Sequence, residues 1–184
     1  MPKKILVAYG TRYDSTEKVA MKLAERIITH GHSADLKNLQ ISAADYIASY
    51  DGIIVGTGIK KAGWTSEIDN FLKDNKTQLQ NKPFGFFICS GHSAEEKNYA
   101  KNDFCLSRLN KMGINPHVCN AVAAISSSGI GDKVGVFGKM FKRKKDGIVA
   151  YEDVVDAADE INDFVNWRDV EEFASSFVEV LKDK

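Results

Sequence analysis

The sequence predicts an α/β fold in which a buried parallel sheet is covered by helices on both faces. Three observations predict it. Five short apolar runs, rich in β-branched and aromatic residues, are spread along the chain. The segments between them repeat apolar residues at helical spacing. The runs themselves are nearly continuous in apolar character, as strands buried on both faces are.

Lys4–Tyr9 is the first strand, and Ser15–His30 after it is a helix whose buried face carries Val19, Ala20, Leu23, Ala24, Ile27 and Ile28. Ser33–Leu39 is more polar and reads as an edge strand. A short helix at Ala43–Tyr50 leads to the third strand, Gly52–Gly56, and a helix at Ser66–Asn75 follows. Phe84–Cys89 is the fourth strand. The helix at Ser93–Met112 opens with a Ser93–Glu96 capping box and is stopped by Gly113. His117–Ala124 is the fifth strand, and Trp167–Leu181 is amphipathic through Val170, Phe173, Phe177 and Leu181. With no internal repeat and no boundary signal, residues 1–184 read as one domain. Residues around 126–165 exceed what five strands require.

Composition narrows the function classes. Lys plus Arg number 25 and Asp plus Glu number 25, so no global charge invites nucleic acid, and none is expected as a partner. Cys89, Cys105 and Cys119 are odd in number and form no C-x-x-C, so they read as reduced thiols of a cytoplasmic protein. No metal is expected: His30, His32, His92 and His117 have no ligand spacing with cysteine or carboxylate. The early first strand leaves no room for a signal peptide, and no apolar run approaches membrane-spanning length. A soluble protein is expected.

In a parallel sheet of this kind, ligands bind beyond the carboxyl ends of the strands, where the strand order reverses. Three turns therefore matter. The first, Thr11-Arg12-Tyr13-Asp14-Ser15-Thr16, is dense in hydroxyls and opens a helix, which aims free N–H groups and a positive dipole end at one point. It is neither a Walker A loop nor a G-x-G-x-x-G dinucleotide turn. It suits a terminal phosphate held by Thr11, Ser15, Thr16 and backbone amides; equally, Asp14 and Glu17 suit a capping box that satisfies the helix by itself. The second turn, Thr57-Gly58-Ile59-Lys60-Lys61-Ala62-Gly63-Trp64, lets backbone approach a flat ligand and offers an aromatic face. An ordinary βα loop with Trp64 packed on its own helix is the other reading. The third, Ser90-Gly91-His92-Ser93, again pairs glycine with small hydroxyls, and His92 reaches a ligand edge or stands in solvent.

Val7–Thr16 resembles the phosphate loop of the flavodoxin superfamily, in particular the branch that holds the menaquinone-dependent protoporphyrinogen oxidases and related flavodoxin-domain proteins. Val55-Gly56-Thr57-Gly58-Ile59-Lys60, followed by Gly63-Trp64, is similar to that branch's second flavin loop. Asn166-Trp167-Arg168-Asp169-Val170 is similar to the start of its last helix. The resemblance implies a flavodoxin-like three-layer sandwich with strand order 2-1-3-4-5. It also implies non-covalent FMN, with the phosphate on Thr11–Thr16 and the ring between the loops after strands three and four. The cofactor-binding residues so implied are Thr11, Arg12, Tyr13, Asp14, Ser15, Thr16, Thr57, Gly58, Ile59, Lys60, Trp64, Ser90, Gly91 and His92.

Two departures from the family stand out. Asp14 occupies a position where Gly or Asn is usual. A carboxylate about 5 Å from a phosphate charge costs roughly 3 kcal/mol at an effective dielectric near 20, so Asp14 must point outward or be offset by Arg12. The chain is also neutral, whereas flavodoxin shuttles are typically strongly acidic.

FMN carries the electron chemistry, and the protein sets its environment. No catalytic residue is expected, because the sequence has no nucleophile–base pair and no paired catalytic carboxylates. A receiver domain is excluded, since Tyr9-Gly10 and Gly56-Thr57 stand where that fold needs acids. Lys60 and Lys61, if near the flavin N1, favour the anionic reduced ring. Val134, Phe137, Met140 and Phe141, with Lys142-Arg143-Lys144-Lys145, form either a packed stripe with a solvated basic end or a contact through 134–145 with a membrane surface or quinone. The stretch 147–172 holds Glu152, Asp153, Asp156, Asp159, Glu160 and Asp163, much as a docking surface for a basic redox partner does. The leading expectation is an FMN-binding carrier of electrons between redox partner proteins. A quinone-dependent protoporphyrinogen oxidase is the alternative, and a flavin-free interaction module is the third reading.

Overall fold

The computed structural model describes residues 1–11, 15–42, 46–59, 63–90, 97–123, 148–149 and 165–182. Strands β1 (Lys4–Gly10), β2 (Ser33–Asn38), β3 (Gly52–Gly58), β4 (Phe84–Ser90) and β5 (Val118–Ala123) pair in parallel in the order 2-1-3-4-5. A sixth strand, β6 (Ile148–Val149), pairs antiparallel with β2. Ser33–Asn38 is therefore not a free edge, contrary to its polar sequence. Its backbone groups are shared on both sides, while its side chains are mostly half-buried.

Alternation along each strand divides the core into two layers. Ile5, Val7 and Tyr9 of β1 join Ile54, Phe87 and Cys89 on one face, and Leu6 and Ala8 join Ile53, Val55, Phe84, Phe86 and Ile88 on the other. The first face is covered by α1 (Ser15–Thr29) and the second by α2 (Ser66–Asp74) and α3 (Lys76–Asn81). Further along the chain, α4 (Lys97–Lys101), a π-helical turn (Asn102–Leu106) and α5 (Ser107–Met112) cover the second face. The last helix, α6 (Trp167–Lys182), returns to the first. Burying each large apolar side chain contributes about 1.5–3 kcal/mol, and Phe86, Phe87, Phe173 and Phe177 are all interior.

Several local expectations are refined. The described part of the short helix at 43–50 is a 3-10 turn, Ile47–Ser49. The helix at 66–75 breaks at Asn75 and resumes as α3, which buries Leu79. The helix ending at Met112 is interrupted by the π-helical turn, where Phe104 gives its carbonyl to the indole N–H of Trp64 at 2.7 Å. Gly113 stops α5 in the left-handed region, at φ 68°. The Ser93–Glu96 box lies outside the described residues. The Cys105 and Cys119 side chains meet in the structure with Cα atoms 7.4 Å apart, wider than a disulfide usually spans, and Cys89 is buried away from both. A helix residue and a strand residue 14 positions apart present no motif that spacing alone can detect. No helix among the described residues is long and apolar enough to cross a membrane.

Candidate functional site

The carboxyl ends of β1, β3 and β4 lie side by side, with Gly10 opposite Thr57 and Gly58 opposite Cys89. Each of the three turns leaves one of these ends. They gather where the covering helices pass from one face of the sheet to the other, the usual place for a ligand in such a fold.

At the first turn, α1 begins at Ser15, directly beyond β1. Thr11 and Ser15 are half-buried, and Thr16 is buried. The Thr16 Oγ1 is shielded and makes no hydrogen bond of normal geometry among the described residues. The Cys89 thiol is near enough to feel it, but a thiol is a weak partner. Burial pushes that thiol up to about 12, and the Thr16 hydroxyl offsets a little of the rise. An unpaired buried hydroxyl costs about 1–3 kcal/mol, so its place at the positive end of a 15-residue helix is informative. Hydroxyl, helix amides and dipole together suit an anion.

Glu17, read as half of a capping box, accepts the Tyr9 hydroxyl at 2.5 Å and ties α1 to β1. Burial first, then this carboxylate, holds Tyr9 far above the usual phenol range, so it remains a donor. Arg12, Tyr13 and Asp14 lie outside the described residues.

At the second turn two side chains are buried. Thr57 is fully buried; its hydroxyl donates to the Gly58 carbonyl at 3.2 Å and accepts the Thr65 N–H at 3.3 Å. That hydroxyl is spent on the loop's own shape. Trp64 is only 3% exposed. Its ring packs on Phe86 at 4.8 Å between centroids and lies under the Arg108 guanidinium at 4.6 Å. Arg108 is in turn paired with Asp69. Buried by these contacts, Trp64 anchors the loop. Gly58 and Ile59 stay at the edge, where the Ile59 N–H continues the ladder to the Cys89 carbonyl at 3.0 Å. Lys60 and Lys61 lie outside the described residues.

Thr65 was not singled out by the sequence. It stands at the N-cap position of α2 with no side-chain cap bond, and its Oγ1 is buried without a partner among the described residues. A Cβ on Gly10 would overlap that Oγ1, so glycine at position 10 is what lets the two loops close together. The visible signal was its place one residue before Ser66.

At the third turn Ser90 is buried at the end of β4, while Gly91 and His92 lie outside the described residues. Beyond it, Lys97 reaches the buried Asp169 of α6 at 2.5 Å. Neither residue carried a sequence signal of its own, although Asp169 belongs to the Asn166–Val170 motif. A cleft of about 710 Å³ lined by Lys3, His30, His32, Ser175, Glu179 and Lys182 opens at the other end of the sheet, where β1 begins and α1 ends. It is separate from the three turns.

A family model described as a flavodoxin domain matches residues 6–122, which run from β1 to β5 and include all three turns. This chain belongs to the flavodoxin-domain family. The chain is 24% identical over 122 residues to protoporphyrinogen IX dehydrogenase [quinone] of Escherichia coli strain K12, covering 65% of this chain and 67% of that one. Among solved structures it resembles the rubredoxin oxygen:oxidoreductase of Desulfovibrio gigas, with TM-score 0.57 and 18% identity. That likeness covers 99% of this chain but 37% of the Desulfovibrio chain. A flavodoxin of Streptococcus pneumonia TIGR4 matches with TM-score 0.54 and 15% identity over 96% of this chain and 99% of its own. At such identities the structural likenesses carry the fold.

Proposed function

We propose that this protein binds FMN without a covalent link and carries electrons between redox partner proteins. The observation that carries the reading is the buried Thr16 hydroxyl at the N-terminus of α1, which has no normal hydrogen bond among the described residues. The residues present fit the terminal phosphate of a mononucleotide: Thr11, Ser15 and Thr16 supply hydroxyls, and the first turn of α1 supplies amides and a positive dipole end. Arg12, Tyr13 and Asp14 complete the same turn in sequence. The loops that begin at Gly58-Ile59-Lys60 and Ser90-Gly91-His92 would flank the ring.

When bound, FMN supplies one- and two-electron redox chemistry. The chain's own residues hold and exclude. Tyr9 and Glu17 fix α1 against β1, Trp64 fixes the second loop from below, and Cys89, held neutral by burial, forms an apolar floor. Redox partner proteins then meet the open edge. The acidic residues Glu152 to Asp163 and the 134–145 segment, offered as partner or quinone contacts, lie outside the described residues.

The second reading is a flavoenzyme that oxidises protoporphyrinogen and reduces a quinone. It is favoured by the likeness to the Escherichia coli dehydrogenase. Visible spectra during stepwise dithionite reduction test the first reading: a carrier is yellow and takes up electrons in two separated one-electron steps. A colourless preparation that takes up no added FMN rejects both flavin readings and leaves the interaction module. Sustained protoporphyrinogen oxidation with a quinone present selects the enzyme.

A further inference from the structure

The start of β1 and the ends of α1 and α6 frame the cleft of about 710 Å³ at the far end of the sheet. Its volume falls within the roughly 300–1,000 Å³ of small-molecule sites. Floor and rim differ in character. Val178 and Leu181, at 5% and 1% exposure, make the floor apolar. Lys3, His30, His32 and Lys182 give the rim cations and N–H donors. Glu179 is the one acid lining the cleft among the described residues, and the Lys182 ammonium already holds its carboxylate at 2.6 Å. Lys3 therefore meets no opposing charge from the rim.

Cations beside a helix end often do no more than offset its dipole. The end of α1 is instead closed by backbone. Gly31 takes φ 85°, and the N–H groups of His30, Gly31 and His32 donate to the carbonyls of Arg26, Ile28 and Ile27 at 3.1, 2.8 and 3.3 Å. Neither imidazole is needed as a cap. His32 is fixed further, because its Nδ1 accepts the Lys3 backbone N–H at 3.2 Å. In the neutral ring the proton then sits on Nε2, which is left as a donor. Ammonium and imidazole N–H groups above an apolar floor suit a negatively charged head on an apolar body.

We propose that this cleft is a second binding site, one that takes a small organic anion. Its carboxylate or phosphate meets Lys3, His30 and the Nε2–H of His32, and its apolar body covers Val178 and Leu181. The inference goes beyond the FMN reading and does not rest on it, since the cleft and the three turns lie at opposite ends of the sheet.

Calorimetric titration of the full chain with octanoate and octyl phosphate tests it, with octanol and inorganic phosphate as controls. Ring signals of the histidines, followed by NMR, locate the site. At least one of the two amphiphilic anions should bind one to one and shift His30 and His32. His117, whose Nδ1 accepts the Phe84 N–H before β5, should not move. Octanol and inorganic phosphate should each bind at least tenfold more weakly than that anion. The double variant Lys3→Gln/His30→Gln changes two side chains outside the core and should raise its Kd tenfold or more, with thermal melting confirming the fold. Failure of both amphiphiles to bind overturns the inference, as does inorganic phosphate binding equally well. Affinity unchanged in the double variant, or abolished by added FMN, places the probe elsewhere and overturns it too.

Discussion

Thr16 shows how one side chain separates binding from folding. Replacing it with valine keeps its shape and removes a buried hydroxyl that has no normal partner among the described residues. Thr16→Val should therefore leave apoprotein stability unchanged or slightly raised. It should weaken FMN binding about ten- to a hundredfold, the worth of a hydrogen bond to a charged group. Urea melts and flavin fluorescence titration measure the two effects, and equal affinity in the variant would remove Thr16 from the site. His32 makes a different prediction. Its Nδ1 accepts the Lys3 N–H at 3.2 Å; burial, then the charges of His30 and Lys3, hold the imidazole below the usual histidine value. The unfolded chain therefore takes the proton first as pH falls through about 6.5. That contribution to stability is complete above this pH and is lost in the window below it. In His32→Gln, urea midpoints at neutral and mildly acidic pH should differ less than in wild type. Hydroxyl-rich composition made Ser15 and Thr16 legible from sequence. The inward orientation of Thr57 and Trp64 was not legible, because what decides it, the Thr65 amide and the Phe104 carbonyl with Arg108, comes from elsewhere in the fold.

Helix ends were readable where a residue's own backbone preference sets them. Gly113 ends α5 at φ 68°, and its N–H bonds back to the carbonyls of Asn110 and Leu109. Gly113→Ala should cost about 1 kcal/mol, because a side chain disfavours that conformation; a urea midpoint unchanged from wild type would contradict the cap. The π-helical turn was not readable. Within it the Phe104 carbonyl accepts the indole N–H of Trp64, 40 residues away in sequence, a partner no local pattern shows. The break at Asn75 and the added turn of α3 were likewise invisible, since Leu79 is decided by the pocket it fills. β2 looked like an edge for the opposite reason. Its polarity is local, whereas its partner β6 joins it from more than 100 residues away.

At the scale of the molecule, binding should show as stability. If FMN binds the native fold alone, 100 times Kd of free FMN adds about 2.7 kcal/mol. For a chain of this size that raises the melting temperature by roughly 5–10 °C. Absence of any shift under these conditions would argue against a preformed site. The same concentration of cofactor should stabilise Thr16→Val by only about 0.4–1.4 kcal/mol, and the full shift should return when FMN is raised in proportion to the weaker Kd.

The parallel sheet, its five strands and the three turns that face one edge were determined by the sequence alone. Apolar runs, helical periodicity and the backbone preferences of glycine act over a few residues, so they can be read a few residues at a time. Tertiary structure decided the sixth strand, the buried ring of Trp64, the meeting of Cys105 with Cys119 and the burial of Asp169 against Lys97. Each of these depends on which distant groups meet once the two helical layers close over the sheet, and on whether a polar atom shut in by that closure finds a partner.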